Sequence, residues 1–330
     1  MKHIFEYPFK TKNTLELRDN FKLNEPIKSD LLFDDYRRQK PMISVVIPTY
    51  KNNSTLFEAI ESAINQKQAP EYEIVIVDNE SETHNEYIEK LSSYKSARIR
   101  YFRNQRNIGL FGNWNRGVEL AKADYVVFLH ADDLFLENTL YTLWSLHRKL
   151  ESDAGIIGRE HELKNGVFHQ YSPNRILRIF KQKPYYKLNK FSLFQVESEN
   201  GCAALYYRAA IIEIGGWDPD SYPSADRSMC INYQLKHPVY RLNSPVRINR
   251  VESNESFKCA QQMPASGFYL SNAIVDQHFG GCRFLKYIIY LKCISCRIDE
   301  FGVKPVRNLR LYEKLICKFS DIVCQISHLF

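Results

Sequence analysis

The chain has 330 residues, 44% of them hydrophobic and 25% charged, with a formal net charge of +7. That length can bury one substantial core, or one domain with an appendage, and the composition excludes a disordered chain. The excess charge is local, because residues 283–330 hold nine Lys or Arg against four Asp or Glu. A basic tail of this kind suits nucleic acid, an anionic membrane surface or a phosphorylated substrate, and composition does not choose among them.

Met1–Asn20 is charged throughout and does not read as a secretory leader. No apolar run approaches the roughly 18–20 residues that span a bilayer. The eight cysteines are scattered, so reduced thiols and a cytoplasmic setting are expected. Cys293 and Cys296 form a C-x-x-C in an apolar segment, but no second pair stands at zinc-site spacing.

In chain order, residues 1–41 read as a polar N-terminal arm. Ile43–Ile47 is a short apolar run closed by Pro48, as in a buried parallel strand. Thr55–Asn65 carries apolar residues at helical spacing, and Glu73–Val77 is a second strand. Glu82–Leu91 is helical, Ala97–Phe102 a third strand, Trp114–Ala121 helical again, and Tyr125–Leu129 a fourth strand. Strands alternating with helices predict βαβ units and a mostly parallel, Rossmann-like sheet flanked by helices. Right-handed crossovers then bring the strand ends to one edge, where ligands bind in open α/β sheets.

That edge would gather Pro48, Thr49, Tyr50, Asp78, Asn79, Asp132 and Asp133, with Asn107 and Gly109 nearby. An aromatic ring to stack on a base, an amide to read a base edge and an acid to hold a cation are what a nucleotide diphosphate requires. No Gly-rich phosphate loop precedes any of these helices, so a cation must hold the pyrophosphate. For Asp132 or Asp133 the competing expectation is a cap on a helix beginning near Leu136.

The run from Ser44 to Tyr50, the run from Ile74 to Asn79 with Ser81, and Asn107 with Gly109 resemble the family 2 inverting glycosyltransferases of the GT-A fold. So do Asn115, Gly117, Ala121 and Tyr125, Phe128–Asp133, Gly215–Asp218 and Asp226. The resemblance covers roughly residues 42–258, and the order and spacing of the pieces are more specific than any one of them. It implies a GT-A domain at 42–258, with a nucleotide-binding half at 42–135 and an acceptor half at 136–258. A helical basic appendage would follow at 259–330. The kind of enzyme implied is a bacterial surface-polysaccharide (O-antigen-like) hexosyltransferase.

Residue by residue, the resemblance places Pro48 and Tyr50 on base and ribose and Asn79 where many relatives read a uracil edge, leaving UDP- and dTDP-sugars both open. Thr49, Asp78, Asn107, Gly109, Asn115, His130 and Ala131 would join the nucleotide-sugar site, and Trp217 would wall the sugars beside Gly215 and Gly216. Asp132 matches the last acid of the D-x-D motif, a direct ligand of Mn²⁺ or Mg²⁺. His130 departs from the family by replacing the first acid: it would bind the metal, hydrogen-bond a ribose hydroxyl or only fill space. Glu252 stands where relatives carry a metal-contacting His and would offset the acid missing at 130.

Asp226 matches the base that deprotonates the acceptor hydroxyl in a single in-line displacement, with a helix N-cap as the alternative. The acceptor would be a glycan or a polyprenyl-linked oligosaccharide. A basic run with interleaved aromatics (Arg175, Arg178, Phe180, Lys181, Lys183, Tyr185, Tyr186, Lys187, Lys190) reads as a solvated face or a contact for an anionic acceptor. The sugar-nucleotide motifs argue against nucleic acid as a partner.

From Pro305 onward, Leu309, Tyr312, Ile316, Phe319, Val323, Ile326 and Leu329 recur at helical spacing beside Arg307, Arg310, Lys314 and Lys318. This stripe packs on the domain or a partner, or makes a peripheral contact at the cytoplasmic face of a membrane. The rival readings are a degenerate sugar-nucleotide-binding scaffold, motivated by His130 and Ala225, and a nucleotidyltransferase, which would need a Gly-rich basic loop after the first strand.

Overall fold

The computed structural model describes residues 5–6, 8, 15–51, 55–82, 84–172, 183–194, 201–251, 258–296 and 302–327. Glu252, Arg175, Arg178, Phe180, Lys181 and Leu329 lie outside the described residues.

The sheet grows outward from three parallel strands, β2 (Ile43–Thr49), β3 (Tyr72–Asp78) and β4 (Ile99–Asn104), with β5 (Tyr125–Phe128) parallel to β2 on its other side. β1 (Ser29–Asp34) closes one edge, antiparallel to β4. On the other side, β10 (Ala204–Tyr207) runs antiparallel between β5 and β7 (Gly155–Lys164), and β11 (Val239–Val251) runs parallel to β7. The short strands β6 (Leu134–Phe135), β8 (Val167–His169) and β9 (Tyr185–Lys187) pair at the far side.

The period-two side-chain alternation of β2 builds both hydrophobic layers. Val45 and Ile47 join Leu56, Ala59, Ile60 and Ala63 of α1 (Leu56–Ile64), whose i, i+3, i+4, i+7 pattern makes one apolar face. Val46 points the other way, into a layer with Trp114 and Val118 of α3 (Leu110–Leu120). Burial on both faces explains why these strands read as continuous apolar runs. At Gly117 any Cβ would lie 2.3 Å from Val46 Cγ1, so glycine is what lets α3 approach the sheet this closely. On the other face, α2 (His84–Ser93) contributes Tyr87 and Leu91, and α4 (Thr139–His147) contributes Leu140, Leu143 and Leu146.

Two elements begin later than their sequence pattern predicts. The helix expected near Leu136 starts at Thr139 after Asn138, because Leu134 and Phe135 pair with Ile248 and Arg247 of β11 first. Asp132 and Asp133 therefore cap no helix. The last helix starts at Leu311, not near Pro305.

The N-terminal arm is tied into the body. Asn20 donates to the Gly215 carbonyl through its backbone N (3.1 Å) and its side-chain amide (3.0 Å), and Arg18 pairs with Asp218. Gly215 has φ +83°, and a Cβ there would lie 1.7 Å from the Arg18 carbonyl oxygen. The glycine thus accommodates the arm's backbone, where the sequence led us to expect a donor sugar. Gly215→Ala should cost about 2 kcal/mol or more through the left-handed backbone and the clash. A urea titration checks this, and an unchanged midpoint would refute it.

After β10, α5 (Arg208–Glu213) buries Ala210 and Ile211 in the Trp114 layer. At the other end, α7 (Met263–His278) packs Leu270 and Ile274 on Ile231 of α6 (Ala225–Lys236), and α8 (Arg283–Ile294) packs on α7. The final helix, α9 (Leu311–Ser327), lies against α8. Among the described residues no helix is long and apolar enough to cross a membrane.

Candidate active site

The parallel strands deliver their carboxyl ends side by side: Thr49 is in register with Asp78, and Val46 with Phe128. Thr55 Oγ1 then donates to the Ala131 carbonyl at 2.9 Å, tying the entry of α1 to the loop after β5. Tyr50 is 46% exposed, as a ring that stacks on a base must be.

Several residues expected to touch a nucleotide are already engaged by the protein. Both oxygens of the buried Asp78 are taken, Oδ1 by the Ser81 amide (3.0 Å) and hydroxyl (2.5 Å), and Oδ2 by the Tyr101 hydroxyl (2.6 Å). Asn79 donates to Asn107 Oδ1 (2.8 Å) and the Gly109 carbonyl (3.2 Å), while its oxygen accepts from Asn104 (3.1 Å) and the Ile108 amide (2.9 Å). Its backbone N–H goes to the Thr49 carbonyl. Asn104 also bonds Asn113, which reaches the Val77 carbonyl. Asn79 is thus one link of a chain of four asparagines that fixes the 105–109 turn, with Gly109 at φ +76°. A base edge at this point would meet the turn itself, not a spare amide.

Asn115 and Trp217 form a second brace. Asn115 accepts from the Trp217 amide and donates to its carbonyl, both at 2.9 Å. The Trp217 ring is fully buried against Phe128 (centroids 4.9 Å apart) and Trp114 (5.4 Å). It therefore forms no wall against a sugar. Trp114 in turn contacts the His130 ring at 4.9 Å, so the aromatic group is the floor beneath His130.

The loop after β5 carries the charge. Asp133 is buried and both its oxygens are occupied: Arg247 pairs with Oδ2 at 2.5 Å, and the Arg250 amide donates to Oδ1 at 3.0 Å. Arg247 also pairs with Glu160, and Arg250 with Glu58. Asp132 is different. It is half-buried, and no described cation lies within pairing distance of it. Burial, and then the neighbouring Asp133, push its carboxyl above the usual carboxylate range. Burial also lowers the His130 imidazole below its ordinary value, so at neutral pH it is an uncharged ring. Its Nε2 is buried without a hydrogen-bond partner.

Among the described residues, His130, Asp133 and Cys202 place ligand atoms within 4.8 Å of one another. The donor set suits a hard divalent cation poorly. Burial holds the Cys202 thiol well above its usual value and hence protonated, and Arg247 already neutralises Asp133. Asp132 is the carboxylate of this loop that a divalent cation could take, since such ions bind through one or two carboxylates plus substrate phosphates. Cys202 and Arg247 escaped the sequence reading because they reach this loop from elements far along the chain, with no local pattern to mark them.

Asp226 occupies the first turn of α6, after Ser224 at the N-cap position. Its Oδ1 accepts from the Arg227 amide at 2.7 Å, and its Oδ2 accepts from no described residue. Burial raises its carboxyl to about 6, only partly opposed by the Arg227 amide and guanidinium. The turn is braced from α7, by Ser224 Oγ to Ser266 Oγ at 2.7 Å and by Arg227 to Ser271 at 2.9 Å.

A parallel-centred α/β sheet flanked by helices, with a carboxylate loop at its strand ends, is the GT-A architecture. Residues 44–215, more than half of the chain, match the family described as glycosyl transferase family 2, and the chain belongs to that family. It is 28% identical over 160 residues to the poly(ribitol-phosphate) beta-N-acetylglucosaminyltransferase TarP of Staphylococcus aureus, covering 46% of this chain and 48% of that one. It is 35% identical over 119 residues to the GalNAc(5)-diNAcBac-PP-undecaprenol beta-1,3-glucosyltransferase of Campylobacter jejuni, covering 36% and 38%. The chain spans about half the length of the curated relatives it matches. Among solved structures, S. aureus TarS 1-349 in complex with UDP-GlcNAc superposes with a TM-score of 0.53 over 77% of this chain and 79% of that one, at 14% identity. That likeness is one of fold.

Proposed function

We propose that this protein is an inverting glycosyltransferase that moves a sugar from a nucleotide-diphosphate donor to an acceptor hydroxyl by one in-line displacement. The observation that carries the reading is Asp226, a half-buried carboxylate raised to about 6 whose Oδ2 accepts from no other described residue. A base of that strength is mostly ionised at neutral pH yet basic enough to take a proton as the acceptor oxygen attacks. The acceptor O–H bond breaks toward Asp226, the new bond forms at the anomeric carbon, and the nucleotide diphosphate leaves from the opposite face. A second carboxylate nucleophile is not needed.

Mn²⁺ or Mg²⁺, held by Asp132 with help from His130 and from Glu252, would neutralise the pyrophosphate as it leaves. Tyr50 stacks on the base, and Pro48 and Thr49 form the adjoining strand end. Asn79, Asn107 and Gly109 shape the turn beside it. The UDP-GlcNAc complex of TarS favours a uridine donor, with dTDP-sugars as the other choice. The undecaprenol-linked substrate named for the Campylobacter relative favours a polyprenyl-linked glycan acceptor at the cytoplasmic face of a membrane.

Thermal shift with UDP- and dTDP-sugars, with and without Mn²⁺, tests the donor and metal together. A donor at about 100 times its Kd should stabilise the fold by roughly 2.7 kcal/mol. In Asp132→Asn the metal-dependent part of that shift should vanish. An equal metal increment in wild type and variant would remove Asp132 from the metal site.

A further inference from the structure

The final helix docks the opposite way round from an ordinary amphipathic helix. Its protein-facing side carries polar groups: Glu313 is buried, pairs with Arg307 (2.6 Å) and accepts from the Arg310 amide (2.8 Å). Asp321 pairs with Lys292 at 2.5 Å, and Ser320 is buried. Ile316 and Cys317 are half-buried beside them, but the largest exposed apolar side chains face outward. Leu311 is 77% exposed, Leu315 58% and Phe319 67%, with Tyr312 and Val323 continuing the same face. The spacing of four residues from 311 through 323 makes them one stripe.

Both acids on this helix are neutralised by described cations, whereas Lys314 and Lys318 are exposed along one flank of the stripe, beside the exposed Arg310. The outward surface is therefore apolar with a net cationic border, in which the one exposed acid, Asp321, is paired with Lys292. The geometry points to α9 as an interfacial helix that lays Leu311, Leu315, Phe319 and Val323 into the headgroup boundary of an anionic bilayer, with Lys314 and Lys318 on lipid phosphates. The charge of the border selects this occupant: a second copy of the same surface would set lysines against lysines, whereas an anionic leaflet complements them. The assignment extends the proposed reading of a membrane-linked acceptor, and vesicle binding can be read with neither donor nor turnover.

The test uses the full chain sedimented with phosphatidylglycerol-containing vesicles and, separately, with pure phosphatidylcholine vesicles. Wild type should bind the anionic vesicles and largely ignore the neutral ones. Leu315→Asp combined with Phe319→Asp should lower the partition coefficient by roughly 100-fold, about tenfold for each apolar group withdrawn. Both side chains are exposed, so the melting temperature should hold. Lys314→Glu with Lys318→Glu should abolish the preference for anionic lipid. Failure of wild type to bind anionic vesicles overturns the proposal, as does unaltered binding by the apolar pair. So does a dimer in sedimentation equilibrium that the apolar pair dissociates without changing vesicle binding, which would give the surface to a second copy.

Discussion

Asp226→Asn is expected to lower turnover by about 10²- to 10⁴-fold, the usual worth of a positioned general base, while donor binding is retained. The same substitution should make the protein more stable at neutral pH. The folded-state pKa of about 6 lies above the ordinary 3.8, so burial penalises the ionised form. A carboxyl raised in this way favours folding most below about pH 4, and that contribution is lost as the pH rises through about 6. The difference corresponds to roughly 3 kcal/mol at pH 7. Activity should run in the other direction: kcat/KM falls as the pH drops through about 6, because the base then carries its proton. Turnover surviving in the variant would remove Asp226 from the mechanism. A destabilised variant would show that Asp226 is a structural cap.

Arg247→Met should cost about 3–5 kcal/mol, the largest stability effect expected of a single substitution here. Its guanidinium bonds Asp133 at 2.5 Å with both side chains almost wholly buried, so removing it leaves a carboxylate unpaired beneath the site loop. Asp133→Asn combined with Arg247→Met should recover much of the loss, because the buried charge disappears along with its partner. Urea midpoints of the two single variants and the double variant decide this. Additive losses would mean that the pair is not coupled.

What could be read in the sequence follows the range of the interaction. β2, β3 and β5 were legible because an apolar run bounded by Pro48, Asp78 and His130 encodes a buried strand within a few residues. Their shared edge followed from the handedness of the crossovers. The carboxylates at 132 and 133 were legible as a pair but not as unequal partners: Arg247, 114 residues further along, neutralises one and leaves the other free. Trp217 reads as a sugar wall until its ring meets Trp114 and Phe128. The periodicity around Phe319 announces an amphipathic helix but is silent about which side docks, which Glu313 and Arg307 decide.

The acid at 226 is braced from both ends of the chain. The segment shared with the family ends at residue 215, eleven positions short of this acid. The contacts that fix the acid's surroundings come from outside that segment: Arg18 and Asn20 on the preceding loop, Ser266 and Ser271 on the helix itself. The surroundings of Asp226 are therefore set jointly by the N-terminal arm and by α7, two segments far apart in the chain. A substitution in either segment would reach the acid's loop and first helical turn without touching the strands that carry Tyr50 and Asp132.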